Sequence, residues 1–534
     1  MRKFLLSFAL LLSALIAQAQ PVPTVITEQP AGTLKSYLRS GSYIRWYLDE
    51  PYNQDGKMAQ MVWADDGQTV YLQSPVTGYS TNAWIKGTVS SDGKKLTFPA
   101  GQYIEYDEDE EYGVQVFYIK DIVVDEWGDA EDYTVDTETD ITFTVSGKTI
   151  SLDGTSEKVM LGLVYDDTEE WTENYNAEFG TVLTEFDEVA VTAPEGLETQ
   201  VYSMESGGHE THAINIVNLG FSGSDVYVLG LSHTMPSAVL KGTLGSDGVV
   251  TFPSKVFAGL HNGTPKYWMA ANATWAYDDY WEEYRYSYAL TDNLQFTLDS
   301  EKKTLSIISP EPGTVDATLL LNGGTTRVYY LDVFEAPELL PFTEVVATPQ
   351  DPVITRHEEY EEGVDEEWGP YSYEGQLRWR GRYFDVDGNI INPDKVSYQL
   401  YIDDDQPYAL KADLYEDLKE DMQEVPAIVS LYDIYGYDYG THTIYLLESG
   451  YERIGVQAIY RGAGVERRSN IVYSDGTTSG YLSGIHKLTS ADGSARTEYF
   501  DLQGRRIQTA KPGQLVIRRT VSADGAVKTT KVLR

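Results

Sequence analysis

Cysteine is absent from all 534 residues, which excludes disulfide bonds, thiolate nucleophiles, cysteine metal sites and the acylated cysteine of a lipoprotein anchor. Basic residues are few, 40 against 83 acidic ones, and the resulting net charge of -43 argues against a nucleic-acid partner for the bulk of the chain. Long apolar runs are missing as well. The longest, residues 4–17, falls short of the roughly 20 residues that span a bilayer, so no transmembrane anchor is expected. No segment fits Gly-x-Ser-x-Gly, Gly-x-Gly-x-x-Gly, the P-loop or His-Glu-x-x-His, so the sequence carries no signal for a hydrolase elbow, a dinucleotide site, a phosphate cradle or a zincin site, and no cofactor is expected.

What is present is folded material. Hydrophobic residues make up 42% of the chain and aromatics 12%, with 41 tyrosines, too much for a disordered acidic tail. At about 150 residues per domain the length suggests three or four domains. Arg2 and Lys3 ahead of the apolar run, with Ala17-Gln18-Ala19 after it, form an export signal over 1–19 cleaved between Ala19 and Gln20.

Compared with itself, the chain shows a duplication. Ala83-Trp84-Ile85-Lys86-Gly87-Thr88-Val89 returns as Ala238-Val239-Leu240-Lys241-Gly242-Thr243-Leu244, and Leu96-Thr97-Phe98-Pro99 as Val250-Thr251-Phe252-Pro253. The phase persists from Val70-Tyr71, matching Val226-Tyr227, to Glu188-Val189-Ala190-Val191, matching Glu344-Val345-Val346-Ala347. A period near 155 residues is too long for a solenoid and implies two homologous domains, 30–191 and 192–347, each with its own core. Within each copy the hydrophobic period is two, helical periodicity is nearly absent, and Asp66-Gly67, Asp92-Gly93, Asp153-Gly154 and Asp247-Gly248 read as hairpin turns. The fold class is all-β, with antiparallel copies that either close as barrels or pack as two sheets.

From 353 to 480 the pattern changes. Leu377-Arg378-Trp379-Arg380-Gly381 and the runs 396–403, 454–460 and 470–474 read as sandwich strands with Trp379 in the core, while Leu410, Leu414 and Leu418 permit a short helix. This segment resembles a fibronectin type III module. The last stretch, 485–534, holds ten basic residues against four acidic ones, plus 6, leaving minus 49 for the remainder; such asymmetry marks a separate role. Glu498-Tyr499-Phe500-Asp501-Leu502-Gln503-Gly504-Arg505-Arg506, Pro512-Gly513-Gln514-Leu515-Val516-Ile517 and terminal Lys531-Val532-Leu533-Arg534 resemble the C-terminal sorting domain of the type IX secretion system of Bacteroidetes. The resemblance implies a small β-sandwich that engages that secretion machinery, carries a periplasmic cargo to the outer surface or medium, and is commonly cleaved there. The two copies likewise resemble a tandem domain of secreted proteins in the same bacteria, which brings no catalytic residues with it.

Candidate chemistry is sparse. His209-Glu210-Thr211-His212 follows two glycines and reads as an exposed loop before a metal site, and Asp385-Val386-Asp387-Gly388-Asn389 reads as a hairpin turn before a calcium loop, since Ile390 occupies the position of the EF-hand glycine. The acid runs 107–111, 125–132 and 358–367 read as solvated loops before weak calcium sites. Arg378, Arg380 and Arg382 form a row that either holds an anion or pairs within the protein. The densest aromatic segment runs from Tyr267 and Trp268 through Trp275, Tyr277, Tyr280, Trp281, Tyr284 and Tyr286 to Tyr288. Alternation favours strand packing; the second reading is a ligand platform, with Trp275, Tyr280, Trp281 and Tyr284 stacking on sugar rings. The expectation is a non-catalytic surface binding or adhesion protein for a glycan or a host or cell-surface protein. The alternative is a glycan-active enzyme of glycoside hydrolase type, whose carboxylate pair cannot be singled out among 83 acids.

Overall fold

The computed structural model describes residues 23–479, apart from 80, 109–111, 173, 208–211, 366–368, 404–405, 438 and 449, together with the backbone of 496–500, 506–507, 515–521 and 527–533. The export signal, with Ala19 and Gln20, lies outside the described residues. The architecture is all-β; the one helical element among the described residues is a 3-10 turn at Pro393–Lys395. Among the described residues no helix is long and apolar enough to cross a membrane. Two compact units divide the chain, 1–342 and 343–534.

The first unit holds both copies, and each is a barrel with a sheet beside it. In copy 1 the strands Thr33–Ile44, Met58–Trp63, Thr69–Gln73, Trp84–Val89, Lys95–Phe98, Ile141–Ser146, Thr149–Leu152 and Ala177–Glu185 follow one another in order. The last pairs back onto the first, Leu183 opposite Arg39, and closes the ring. In copy 2 the closed barrel is built by Thr199–Ser206, Ala213–Ser222, Asp225–Leu229, Leu240–Leu244, Val249–Pro253, Asn293–Asp299, Thr304–Ile307 and Glu338–Pro341. The choice between barrel and two sheets is thus resolved as an eight-stranded barrel plus an inserted sheet, because the strands between the fifth and sixth barrel strands turn away and pair with those between the seventh and eighth. In copy 2 that sheet is Val256–His261, Thr264–Asp278, Glu283–Thr291, Val315–Asn322 and Tyr330–Glu335.

The duplicated motifs have a packing reason. Phe98 meets Phe143 edge to face at 5.7 Å, and Phe252 meets Phe296 in the same way at 5.7 Å. The Lys-Gly-Thr glycine lies beneath this pair. A Cβ on Gly87 would stand 2.6 Å from the Phe98 ring and one on Gly242 2.6 Å from the Phe252 ring, so the Gly and the Phe of the Thr-Phe-Pro strand form one unit. The four Asp-Gly glycines all take positive φ, as hairpin turns require.

The inserted sheet of copy 2 is covered on both faces near its base. Trp268, Ala270, Leu319, Leu321 and Phe334 join the barrel core, while Phe257, Tyr267, Met269, Ala271 and Leu320 meet Phe186 and Ala190 from the end of copy 1. Coverage from both sides explains why this stretch lacks polar alternation.

In the second unit two sheets form a sandwich. One runs Val353–Glu358, Gly375–Arg380, Thr441–Leu446, Ile434–Gly436, Val429–Ser430; the other runs Gln406–Tyr408, Val396–Ile402, Ile454–Gly462, Ile471–Tyr473, Thr478–Ser479. Trp379 is fully buried, stacked on His442 at 5.0 Å and edge to face with Tyr398 at 5.4 Å. The helix permitted by the leucine spacing does not form. Residues 411–418 make isolated turns, with Tyr415 rather than Leu414 buried, because the Tyr415 ring is anchored by its hydroxyl on the Tyr445 carbonyl. At the C-terminus Arg506–Ile507, Arg496–Phe500, Leu515–Val521 and Val527–Leu533 form a four-stranded antiparallel sheet.

Candidate ligand-binding surface

The aromatic segment lies on the hairpin Thr264–Asp278 and Glu283–Thr291 of copy 2 and divides in two. Its base, Tyr267 and Trp268, is core. Beyond Ala273 the hairpin runs past the sheet that covered it, so its rings line one open face: strand register sets Trp275 opposite Tyr286, Tyr277 opposite Tyr284 and Ala273 opposite Tyr288. Neighbouring rings touch in sequence. Tyr330 meets Tyr288 at 5.6 Å, Tyr288 meets Tyr286 at 6.0 Å, and Tyr286 meets Trp275 at 4.8 Å. Trp275 stacks on Tyr284 at 6.2 Å, and Tyr284 meets Tyr277 at 5.4 Å. Tyr284 is 57% exposed, so strand packing accounts for the base of the segment but not for its outer half. Tyr288 at the inner end donates its hydroxyl to buried Glu335 at 2.7 Å. Burial and that carboxylate push the phenol far above its usual range.

Tyr280 and Trp281 sit in the turn, edge to face at 5.1 Å. The Asp278 carboxylate accepts the Tyr280 and Trp281 amides at 2.9 and 3.2 Å and shapes that turn. The Arg285 guanidinium lies 5.1 Å from the Trp281 ring, which remains 59% exposed.

Copy 1 carries the same hairpin, and here sequence reasoning missed a residue. Asp125 accepts the Trp127 and Asp129 amides at 2.8 and 2.9 Å, and this turn holds Trp127 74% exposed. The signal was legible: 281 minus 127 is 154, in phase with the duplication, but the acid run around Trp127 obscured it. The rest of the hairpin differs. Tyr133, which occupies the ladder position of Tyr288, is covered by Trp171 at 5.6 Å, and its hydroxyl accepts the Trp171 amide. Trp171 belongs to the connection 166–176, whereas copy 2 joins the matching strands with the shorter 323–329. The aromatic face is therefore covered in copy 1 and open in copy 2.

The other candidates belong to other elements of the fold. His212 pairs with Glu205 at 3.2 Å, while His209 to Thr211 are outside the described residues. Asp385 spends its carboxylate on the Asp387 and Asn389 amides, closing a hairpin turn with Gly388 at positive φ. Arg378 donates to the Thr443 hydroxyl at 3.3 Å; the strand ends at Arg380, so Arg382 is not part of its row. Among the described residues no group of three or more His, Asp or Glu is placed to hold a metal ion. Compared with models of known protein families, with curated proteins and with solved structures, the chain matches none of them.

Proposed function

We propose that this chain is a secreted or surface-displayed binding protein without catalytic activity, one that engages glycan or host and cell-surface protein through the tryptophan-tipped hairpins of its two copies. One observation carries the reading: the same hairpin in both copies ends in an aspartate-anchored turn that holds a tryptophan in solvent, Trp127 and Trp281. Neither ring packs in a core, so folding alone gives no reason for a large apolar group there. Flat rings beside carboxylates suit stacking on a pyranose face while its hydroxyls donate to acceptors. Two tips on one chain raise the local concentration of the second contact once the first has formed.

Export is part of the proposal and rests on the residues around Ala17-Gln18-Ala19 and on the basic tail. The second unit supports a fibronectin type III kinship through its strand order: Val353–Glu358, Gly375–Arg380 and Thr441–Leu446 share one sheet, which the short strands Val429–Ser430 and Ile434–Gly436 extend, and Val396–Ile402, Gln406–Tyr408, Ile454–Gly462 and Ile471–Tyr473 share the other.

A glycan and protein array probed with the mature chain tests the binding reading. Bound features should weaken at least tenfold in Trp281→Ala and Tyr284→Ala and less in Trp127→Ala, whose hairpin lacks the open face. Binding that survives all three changes removes this surface as the site, and turnover of any arrayed glycan overturns the non-catalytic reading. Deleting residues 484–534 should retain the protein in the periplasm; equal surface exposure without the tail defeats the type IX assignment.

A further inference from the structure

A second feature, remote in sequence from the aromatic hairpin, lies where copy 1 meets copy 2 within the first unit. Near the end of strand Thr33–Ile44, Tyr43 pairs with Tyr52 across a detour that carries Arg45. The turn after it is locked from below. The side chain of buried Gln54 donates to the Ser42 carbonyl and the Thr181 hydroxyl, and the Gln54 main-chain carbonyl accepts the Lys57 amide. This turn presents Asp55 to copy 2, where one carboxylate oxygen accepts the Thr325 amide, the Thr326 amide and the Thr326 hydroxyl at 2.9, 2.8 and 2.7 Å. Gly56, at positive φ, packs directly on the Gly323 carbonyl and leaves no room for a side chain. The 323–329 loop is pinned in turn by buried Asn322, which donates to the Gly324 and Arg327 carbonyls and accepts the Tyr329 amide.

The clamp draws four cations together. Lys57 follows Gly56, and its ammonium stands 5.9 Å from the Tyr43 ring. Lys266 rises from the inserted sheet of copy 2 until its ammonium is 3.6 Å from where a Gly323 Cβ would be. Arg327 and Arg45 flank Lys57 closely enough to act on it electrostatically, and Lys57 acts likewise on Lys266. Lys266 is only 8% exposed. None of the four makes an ion pair with a described carboxylate or a side-chain hydrogen bond to a described residue. In a chain of net charge -43 this is anomalous, since a buried ammonium without a partner is costly and carboxylates are plentiful elsewhere. Asp55 commits one carboxylate oxygen to the Thr325 and Thr326 amides and the Thr326 hydroxyl, and Glu188, the other carboxylate reaching across from copy 1, accepts the Tyr267 hydroxyl at 3.4 Å. Burial lowers the affinity of both lysines for their protons, with Arg327 and Arg45 adding to the effect on Lys57 and Lys57 adding to that on Lys266.

We propose that the junction between the two copies is a binding site for an oxyanion group, a carboxylate, sulfate or phosphate, held by Lys57 and Lys266 with Arg327 and Arg45 at its rim. An anion there completes the electrostatics that the fold leaves open. Exposed Tyr329 on the loop gives an attached sugar ring a flat neighbour. The site is built from the Asp55 clamp and is independent of the aromatic hairpin.

The test uses the full chain, titrated calorimetrically with inorganic sulfate, inorganic phosphate and glucuronate, with glucose as the uncharged control. Saturable binding of at least one anion is expected, weakened tenfold or more by Lys266→Met and by Lys57→Gln, and unchanged by Trp281→Ala. If Lys266→Met fails to fold, Arg327→Gln at the exposed rim replaces it, with at least threefold weakening expected. Glucuronate binding well above sulfate identifies an acidic sugar as the ligand; equal binding of all three anions identifies the oxyanion group alone as what is recognised. Absence of saturable binding by all three, or undiminished binding by the lysine variants, overturns the proposal while leaving the aromatic surface untouched.

Discussion

Arg39 and Glu178 form an ion pair inside the copy 1 barrel, with side chains 2% and 1% exposed. Both carboxylate oxygens accept Arg39 Nη1, at 3.1 and 2.9 Å, and one also accepts the Thr77 amide at 2.8 Å. Arg39 Nη2 donates to the Ser74 carbonyl at 2.5 Å. Strand register places Met204 and Phe334 at the corresponding positions of copy 2, where both belong to an apolar core. The duplication thus contains its own comparison between a buried ion pair and a hydrophobic replacement. Glu178→Gln keeps the volume but offers one acceptor oxygen where three hydrogen bonds from two donors, Arg39 Nη1 and the Thr77 amide, reach both carboxylate oxygens, so the amide group must face a donor and the guanidinium loses its counter-charge. Breaking a buried pair in this way should cost about 3–5 kcal/mol. Arg39→Met combined with Glu178→Phe removes the charge altogether, leaving the unpaired Thr77 amide as the main penalty, so this variant should return to within about 1–3 kcal/mol of the parent. Native-state hydrogen exchange on the full chain reads both changes: the slowest copy 1 amides report the loss, and copy 2 amides serve as the internal reference. The reasoning is refuted if the single change costs less than about 1 kcal/mol, or if the double variant is no more protected than the single one.

Further outcomes follow from the same packing. Gly87→Ala and Gly242→Ala should each destabilise their own copy by about 1–3 kcal/mol, because the new methyl meets a phenylalanine ring; Phe98→Leu should partly rescue the first, and an additive double variant would speak against the contact. Fully buried His442, whose ring donates Nε2–H to the Ala427 carbonyl at 2.8 Å, has its pKa held down to about 4 by burial, against the opposing effect of that carbonyl. The unfolded imidazole takes a proton near 6.5, so the second unit should lose up to about 3 kcal/mol as pH falls from 6.5 to 4 and nothing further from this group below that; a His442→Gln variant with an equally steep slope over that window would exclude His442 as its source. Trp127→Ala and Trp281→Ala should leave thermal stability within about 0.5 kcal/mol of the parent, since both rings stand in solvent; a larger loss in calorimetry would mean that these rings support the fold.

Local chemistry was legible in the chain itself. Alternating β-branched and aromatic residues, Asp-Gly turns, the repeat linking Gly87 to Gly242 and Phe98 to Phe252, and the phase of Trp379 depend on near neighbours and on self-comparison, and all reappear as strands, turns and core contacts. Closure of the barrels was not legible, because a period of two says which side of a strand is buried and nothing about which distant strand meets its edge; only the return of Ala177–Glu185 onto Thr33–Ile44 decides it. The division of the aromatic segment was hidden for a similar reason. Tyr267 and Tyr284 share one residue type, but the first is roofed by Phe186 and Ala190 from another copy while the second projects beyond any roof. The Arg39–Glu178 pair joins residues 139 apart, and Lys57 approaches Lys266 only because Gly56 and Gly323 lack side chains and their backbones can touch. Pattern along a strand follows from the amino acids, whereas burial, charge pairing and the sites they create depend on which surfaces long-range folding brings together.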